Sequence, residues 1–253
     1  MAAPAFRAVG TAANTATRAT NITPGMPTGW AADDIAIMYA AISIIGSSPL
    51  VPPSFQAADP TGWTKIDEAT INNGTNTRGV RAAWYWRRLV DLDASPNLQM
   101  QNNGSGGTSY CLQAAIAAYP GCITSGDPWD VKNVTSSTGG TSVSIPGVTT
   151  TVADTRVILA IGTDNDNTVT SQSTTDPGAL TENFDLVTTT GSDAGVSGAS
   201  AAKASTGATG DGTATMLSTN PRVLWLIALK PPAVGGGPAP PVGKGLPLLG
   251  VGR

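Results

Sequence analysis

Asp67 with Glu68, Asp91 with Asp93, the run TDNDN from Thr163 to Asn167, and the thiols of Cys111 and Cys122 are the residues whose types and spacing come closest to chemistry. Paired carboxylates would serve glycoside hydrolysis, one protonating the leaving oxygen while the other acts as base or nucleophile across the bond. Asp67 and Glu68 are adjacent, however, and neighbours on a strand point to opposite faces, while Asp91 and Asp93 fall at a strand end. The chain of 253 residues has no histidine, which removes Ser-His-Asp and Cys-His nucleophilic systems and the usual zinc sites. Two cysteines cannot complete an all-thiolate zinc site. No enzyme is expected, and no catalytic residue.

Asp164 and Asp166 in TDNDN are the best candidates for calcium ligands, since several oxygens fall in one short loop. The run lacks the rest of a calcium-loop pattern, and Asx-rich turns form readily without metal, so no metal or other cofactor is expected. GSGGTS and GDG have neither a P-loop lysine nor a strand–loop–helix setting, and read as turns. Bridging Cys111 to Cys122 would require the chain to reverse at Tyr119-Pro120-Gly121. Two cysteines do not make a disulfide framework, and two reduced, partly buried thiols are expected.

The stretch RAAWYWRRLV, Arg81 to Val90, is where recognition could sit. On a strand, Ala82, Trp84, Trp86 and Arg88 share one side, while Arg81, Ala83, Tyr85, Arg87 and Leu89 share the other. Trp84 and Trp86 are expected in the core, filling the gap between two sheets. Arg81, Tyr85 and Arg87 would then form an outer or cleft-lining face able to stack on a sugar or clamp an acidic partner. Two loop tryptophans, Trp63 in DPTGW and Trp129 in GDPWD, are further candidate contacts, with plugging of the sandwich ends as the alternative role.

The elements that must carry these residues are strands. Apolar residues come in short runs rich in Val, Ile, Trp and Thr, bounded by Gly, Pro, Asn or Asp. DDIAIMYAAISII predicts a central strand, Ile35 to Ile45, buried on both faces; GWTKIDEATI, GVRAAWYWRRLV, TRVILAIGT, NFDLVTTT, GVSGASAAKAS and RVLWLIAL follow the same logic. CLQAAIAAY has helix-forming alanines, but its flanking turns and length favour a strand. About ten such strands with regular turns predict an all-β antiparallel sandwich or jelly roll over residues 1–231.

Residues 232–253, a Pro/Gly-rich segment ending in GLPLLGV, predict an extended C-terminal arm. Leu246, Leu248, Leu249 and Val251 would be poorly solvated alone, and are the candidate residues for docking on a neighbour. Charged residues make up 12% of the chain and the net charge is −3, so there is no basic stripe for nucleic acid. No apolar run is long enough for a membrane span, and MAAPAFRAVG lacks the basic and apolar regions of a Sec signal.

The segments AADDIAIMYAAIS, DPTGWTKI, AAWYWRRL, AAIAAYPGCITSGDPWD, IPGVTTTVADTRVILAI, ATGDGTATM and VLWLIALKP occur in an order that resembles a family of lectin-like β-sandwich, jelly-roll domains. These domains are found in tailed-phage virion proteins and some secreted bacterial proteins. The likeness spans about Phe6 to Pro231 and departs where the family carries Gly-Asp and this chain has Asp33-Asp34. The resemblance implies a non-catalytic sandwich at the virion surface, made in the host cytoplasm, as a capsid decoration or cement, or a tail or fibre component. Its partners would be other virion proteins and copies of itself, held through the arm. The other expectation is a lectin-like module that binds host-surface glycan during adsorption.

Overall fold

The computed structural model describes residues 2–72, 77–91 and 93–232. All regular elements among them are strands. In chain order they are β1 (Ala8–Val9), β2 (Ala13–Thr15), β3 (Asn21–Ile22), β4 (Ile35–Val51), β5 (Thr64–Asn72), β6 (Arg78–Arg88), β7 (Leu98–Gln99), β8 (Ser105–Tyr119) and β9 (Trp129–Ser137). The second half adds β10 (Ser142–Ile145), β11 (Thr149–Thr150), β12 (Thr155–Thr163), β13 (Val169–Ser173), β14 (Thr181–Thr188), β15 (Ala194–Lys203), β16 (Gly207–Ala208), β17 (Gly212–Met216) and β18 (Arg222–Leu229).

The protein is an antiparallel β-sandwich whose two sheets come from successive halves of the chain. The first sheet runs β1-β8-β4-β6-β5, with β2 also paired to β8, and the second runs β14-β15-β12-β18-β9. β4 is central, as its unbroken apolar run requires: Tyr39 lies opposite Trp84 of β6 on one side and Ala115 of β8 on the other. The alanine-rich segment of β8 is indeed a strand. Its Ala115 and Ala117 face one core while Ala114 and Ile116 face another, a period-two use of small residues that overrides helix propensity.

Alternation along the strands yields three cores rather than one. Between the sheets lie Ile35, Ile37, Tyr39, Trp84, Ile158, Trp225 and Ile227. On the far side of the first sheet, Met38, Ile42, Tyr85 and Ile116 are covered by Phe55, Trp63, Leu98 and Met100, held by the β3–β7 ribbon and the Phe55–Met100 bridge. On the far side of the second sheet, Val157, Leu159, Leu224 and Leu226 are covered by Val143, Ile145 and Met216 of a three-stranded sheet, β10-β17-β13. The middle gap is not uniform in width. Trp84 and Trp225 fill one part, whereas at Gly162 a Cβ would stand 2.8 Å from the Ala82 Cβ, so the sheets approach closely there.

The C-terminal arm expected over 232–253, with Leu246, Leu248, Leu249 and Val251, lies outside the described residues apart from Pro232. Among the described residues no helix is long and apolar enough to cross a membrane.

Candidate functional site

β6 carries most of the expected site residues, and its two faces differ in what they do. Trp84 is 2% exposed, with its ring 4.4 Å from that of Trp225 and edge-on to Tyr39 at 4.7 Å. Trp86 lies on the same face, half-buried, and meets Trp129 edge-to-face at 5.7 Å. Both therefore belong to the layer between the sheets, and Trp129 packs onto the rim of that layer at the start of β9.

The opposite face requires a correction. Arg81, Tyr85 and Arg87 do share it, but it is not an open cleft, because the segment around Phe55 and Trp63 lies over it. Tyr85 is 0% exposed, with Phe55 edge-on at 6.1 Å and Lys65 Nζ 5.6 Å above the ring. Trp63 is 5% exposed and is part of the cover itself. Neither ring can stack on a ligand, since the hydrophobic surface on the outer side of the first sheet is large enough to demand its own lid. Burial drives the Tyr85 phenol far above its usual range, with Glu68 and Asp59 adding to the effect.

The acids are drawn to cations on their own strand and on other strands. A bulge between Lys65 and Asp67 re-aims the two adjacent carboxylates. Asp67 accepts from Lys132 Nζ of β9 at 2.7 Å, while Glu68 accepts from Lys65 Nζ at 2.8 Å and from Arg81 Nη1 at 2.5 Å. Burial would raise Glu68, but the hydrogen bonds and charges of Lys65 and Arg81 outweigh it and hold the carboxyl below its usual value.

Asp164 and Asp166 separate in the same way. Asp166 is exposed, whereas Asp164 is fully buried beside Arg78, whose Nη1 lies 3.4 Å from its Oδ2. No group of three acid, thiol or imidazole side chains placed to hold a metal occurs among the described residues. Cys111 and Cys122 are both free and buried, and burial pushes each thiol up to about 12, leaving little thiolate for reaction at neutral pH.

Arg87 does reach a cavity. A pocket of about 590 Å³ opens where the 56–61 segment faces the 93–97 segment, with Asn21 of β3 at its side. Arg87 and Asp93 form an ion pair in its wall, and Arg87 Nη1 also reaches the Thr61 carbonyl at 3.5 Å. Asp93 Oδ2 accepts the Val90 N–H at 2.8 Å and so anchors the turn. Gly62 is needed here: its φ is +78°, and a Cβ would lie 2.6 Å from Arg87 Nη1.

The DPTGW loop thus turns its tryptophan inward and presents Asp59, Pro60 and Thr61 to the pocket instead. Asn21, Gln56, Asp59 and Asn97 were not singled out by sequence reasoning. Asp59-Pro60 and Ser95-Pro96-Asn97 carry ordinary turn chemistry, and only the fold brings these two turns face to face.

A second cavity, of about 370 Å³, lies by Phe6 and Arg156. Its polar groups satisfy one another: Arg156 donates to the Pro4 carbonyl at 2.7 Å and to Ser200 Oγ at 3.2 Å, and Ser200 donates to Asn183 Oδ1 at 2.6 Å.

The fold and the pocket define an all-β sandwich with a polar concavity at one end of β6. Comparison of the chain with protein-family models, curated proteins and solved structures finds no match.

Proposed function

We propose that this chain is a structural protein of a tailed-phage virion, displayed on the particle as a capsid decoration or cement, or as a tail or fibre component. It would contact copies of itself and other virion proteins through residues 232–253. The observation that carries this reading is the four-layer stack: two sheets joined through Trp84 and Trp225, each with its outer face covered by the chain's own segments. Three close-packed cores in one chain give a block that resists deformation, because interiors at this density leave side chains little room to rearrange. The order of short motifs noted in the sequence points the same way. Deletion of 232–253 tests it: the shortened protein should fold yet fail to enter particles, and retained incorporation would count against the arm as anchor.

A second reading, a lectin-like module for host-surface glycan, is favoured by the polar pocket beside Arg87. The covered rings of Tyr85 and Trp63 give it no support. Its whole-particle test is adsorption to host cells in the presence of soluble competing glycans, which should reduce attachment.

A further inference from the structure

We propose that the pocket at the Arg87 end of β6 is a binding site for a single neutral pyranose ring. The inference deepens the glycan reading and rests on it, but it does not depend on residence in a particle. Its volume of about 590 Å³ is within the range of small-molecule sites, about 300–1,000 Å³.

The hydrogen bonds within the lining decide what it can offer a ligand. Gln56 Oε1 accepts the Gln99 N–H at 2.9 Å, Asn21 Oδ1 accepts from Gln99 Nε2 at 3.1 Å, and Asn97 Oδ1 accepts from the Thr23 hydroxyl at 2.9 Å. In each case the oxygen is used within the protein, which fixes the carboxamide and leaves its NH₂ as the donor available to a ligand. Asp59 spends Oδ2 on the Lys65 N–H at 2.8 Å and keeps a second oxygen as an acceptor. Fixed donors beside a carboxylate acceptor match a ring of vicinal hydroxyls, each of which can donate and accept. Pro60 and Pro96 also line the pocket and, being largely buried, make its wall rigid rather than a broad stacking surface.

Charge decides which sugar. Arg87 and Asp93 neutralise each other, so the pocket has no spare cation, and Asp59 leaves it with one uncompensated carboxylate. An acidic sugar or a phosphate would meet repulsion with no counter-ion to offset it. A neutral hexose meets neither.

The test is titration of the whole chain, labelled with nitrogen-15, with methyl glycosides of glucose, galactose, mannose and rhamnose at millimolar concentrations. N-acetylneuraminic acid and inorganic phosphate serve as anionic probes. The side-chain NH₂ signals of Gln56, Asn97 and Asn21 should shift saturably with at least one neutral glycoside and with neither anion. Gln56→Glu and Asn97→Asp keep the internal acceptor oxygen, so the fold is retained, but remove the donor. Each should weaken binding about three- to tenfold.

Silence of all three amides with every neutral glycoside overturns the site, as does equal binding of the anions or unchanged affinity in both variants. If the pocket is silent while soluble glycans still block adsorption to cells, this site is wrong and the broader glycan reading survives on another face.

Discussion

Each end of β6 has an arginine–aspartate pair, and the two pairs are built differently. At the start of the strand, Arg78 approaches the Asp164 carboxylate at 3.4 Å and its carbonyl at 3.3 Å, while Asp164 Oδ1, fully buried, has no partner. At the other end, Asp93 receives Arg87 on one oxygen and the Val90 N–H on the other, and the guanidinium extends to Thr61. The same two residue types thus give an under-satisfied carboxyl in one place and a saturated anchor in the other. Burial pushes Asp164 up to about 7, with Arg78 offsetting only part of the effect and Asp193 adding to it. How many donors reach a buried carboxylate, more than the presence of an arginine, sets what that carboxylate does.

The largest effect expected from this contrast is at Asp93. Asp93→Ala leaves Arg87 and the Val90 N–H without their acceptor, and should cost about 3 kcal/mol in denaturant unfolding. A loss below about 1 kcal/mol would show that the anchor is ornamental and would end the contrast.

At Asp164 the sign is reversed. The folded carboxyl holds its proton to about pH 7, while the unfolded one releases it near pH 4. The stability this group contributes is therefore full below about pH 4, falls as pH rises to about 7 and is flat above. Asp185 and Asp193 are also raised by burial and act in the same direction, while the lowered Glu68 acts against them. Asp164→Asn should remove most of the slope, raising stability by a few kcal/mol at pH 8 with little change at pH 4. Parallel melts at the two pH values measure it, and a slope that survives the substitution assigns it to other groups.

The smallest effect is expected midway along the strand. The Tyr85 hydroxyl is buried without a hydrogen-bond partner, so Tyr85→Phe should change stability by less than about 1 kcal/mol, in either direction. A loss of several kcal/mol would mean that the hydroxyl has a partner, such as a buried water, and that unpartnered oxygens are not the common theme.

Much of the architecture was legible in the residues. Period-two alternation placed Trp84 and Trp86 on one side of β6 and Tyr85 on the other, and identified β4 as a central strand. The covering of that other side was not legible, because alternation shows which residues share a face and not what lies on it. Tyr85 beside Arg81 and Arg87 reads equally as a binding platform or as a half-polar face under a lid. The pocket was hidden for a related reason: Asp59 and Asn97 belong to two turns whose sequences say only that the chain reverses there.

From its sequence alone, this chain was bound to be an antiparallel all-β protein with a histidine-free, weakly charged set of side chains, because short apolar runs and local turn chemistry act within a few residues. Only the tertiary structure decided that both outer faces are covered, that Trp63 turns inward, and that two distant turns enclose a polar pocket beside Arg87. Those outcomes depend on the burial of apolar area between segments tens of residues apart, a non-directional force that carries no signature in local spacing.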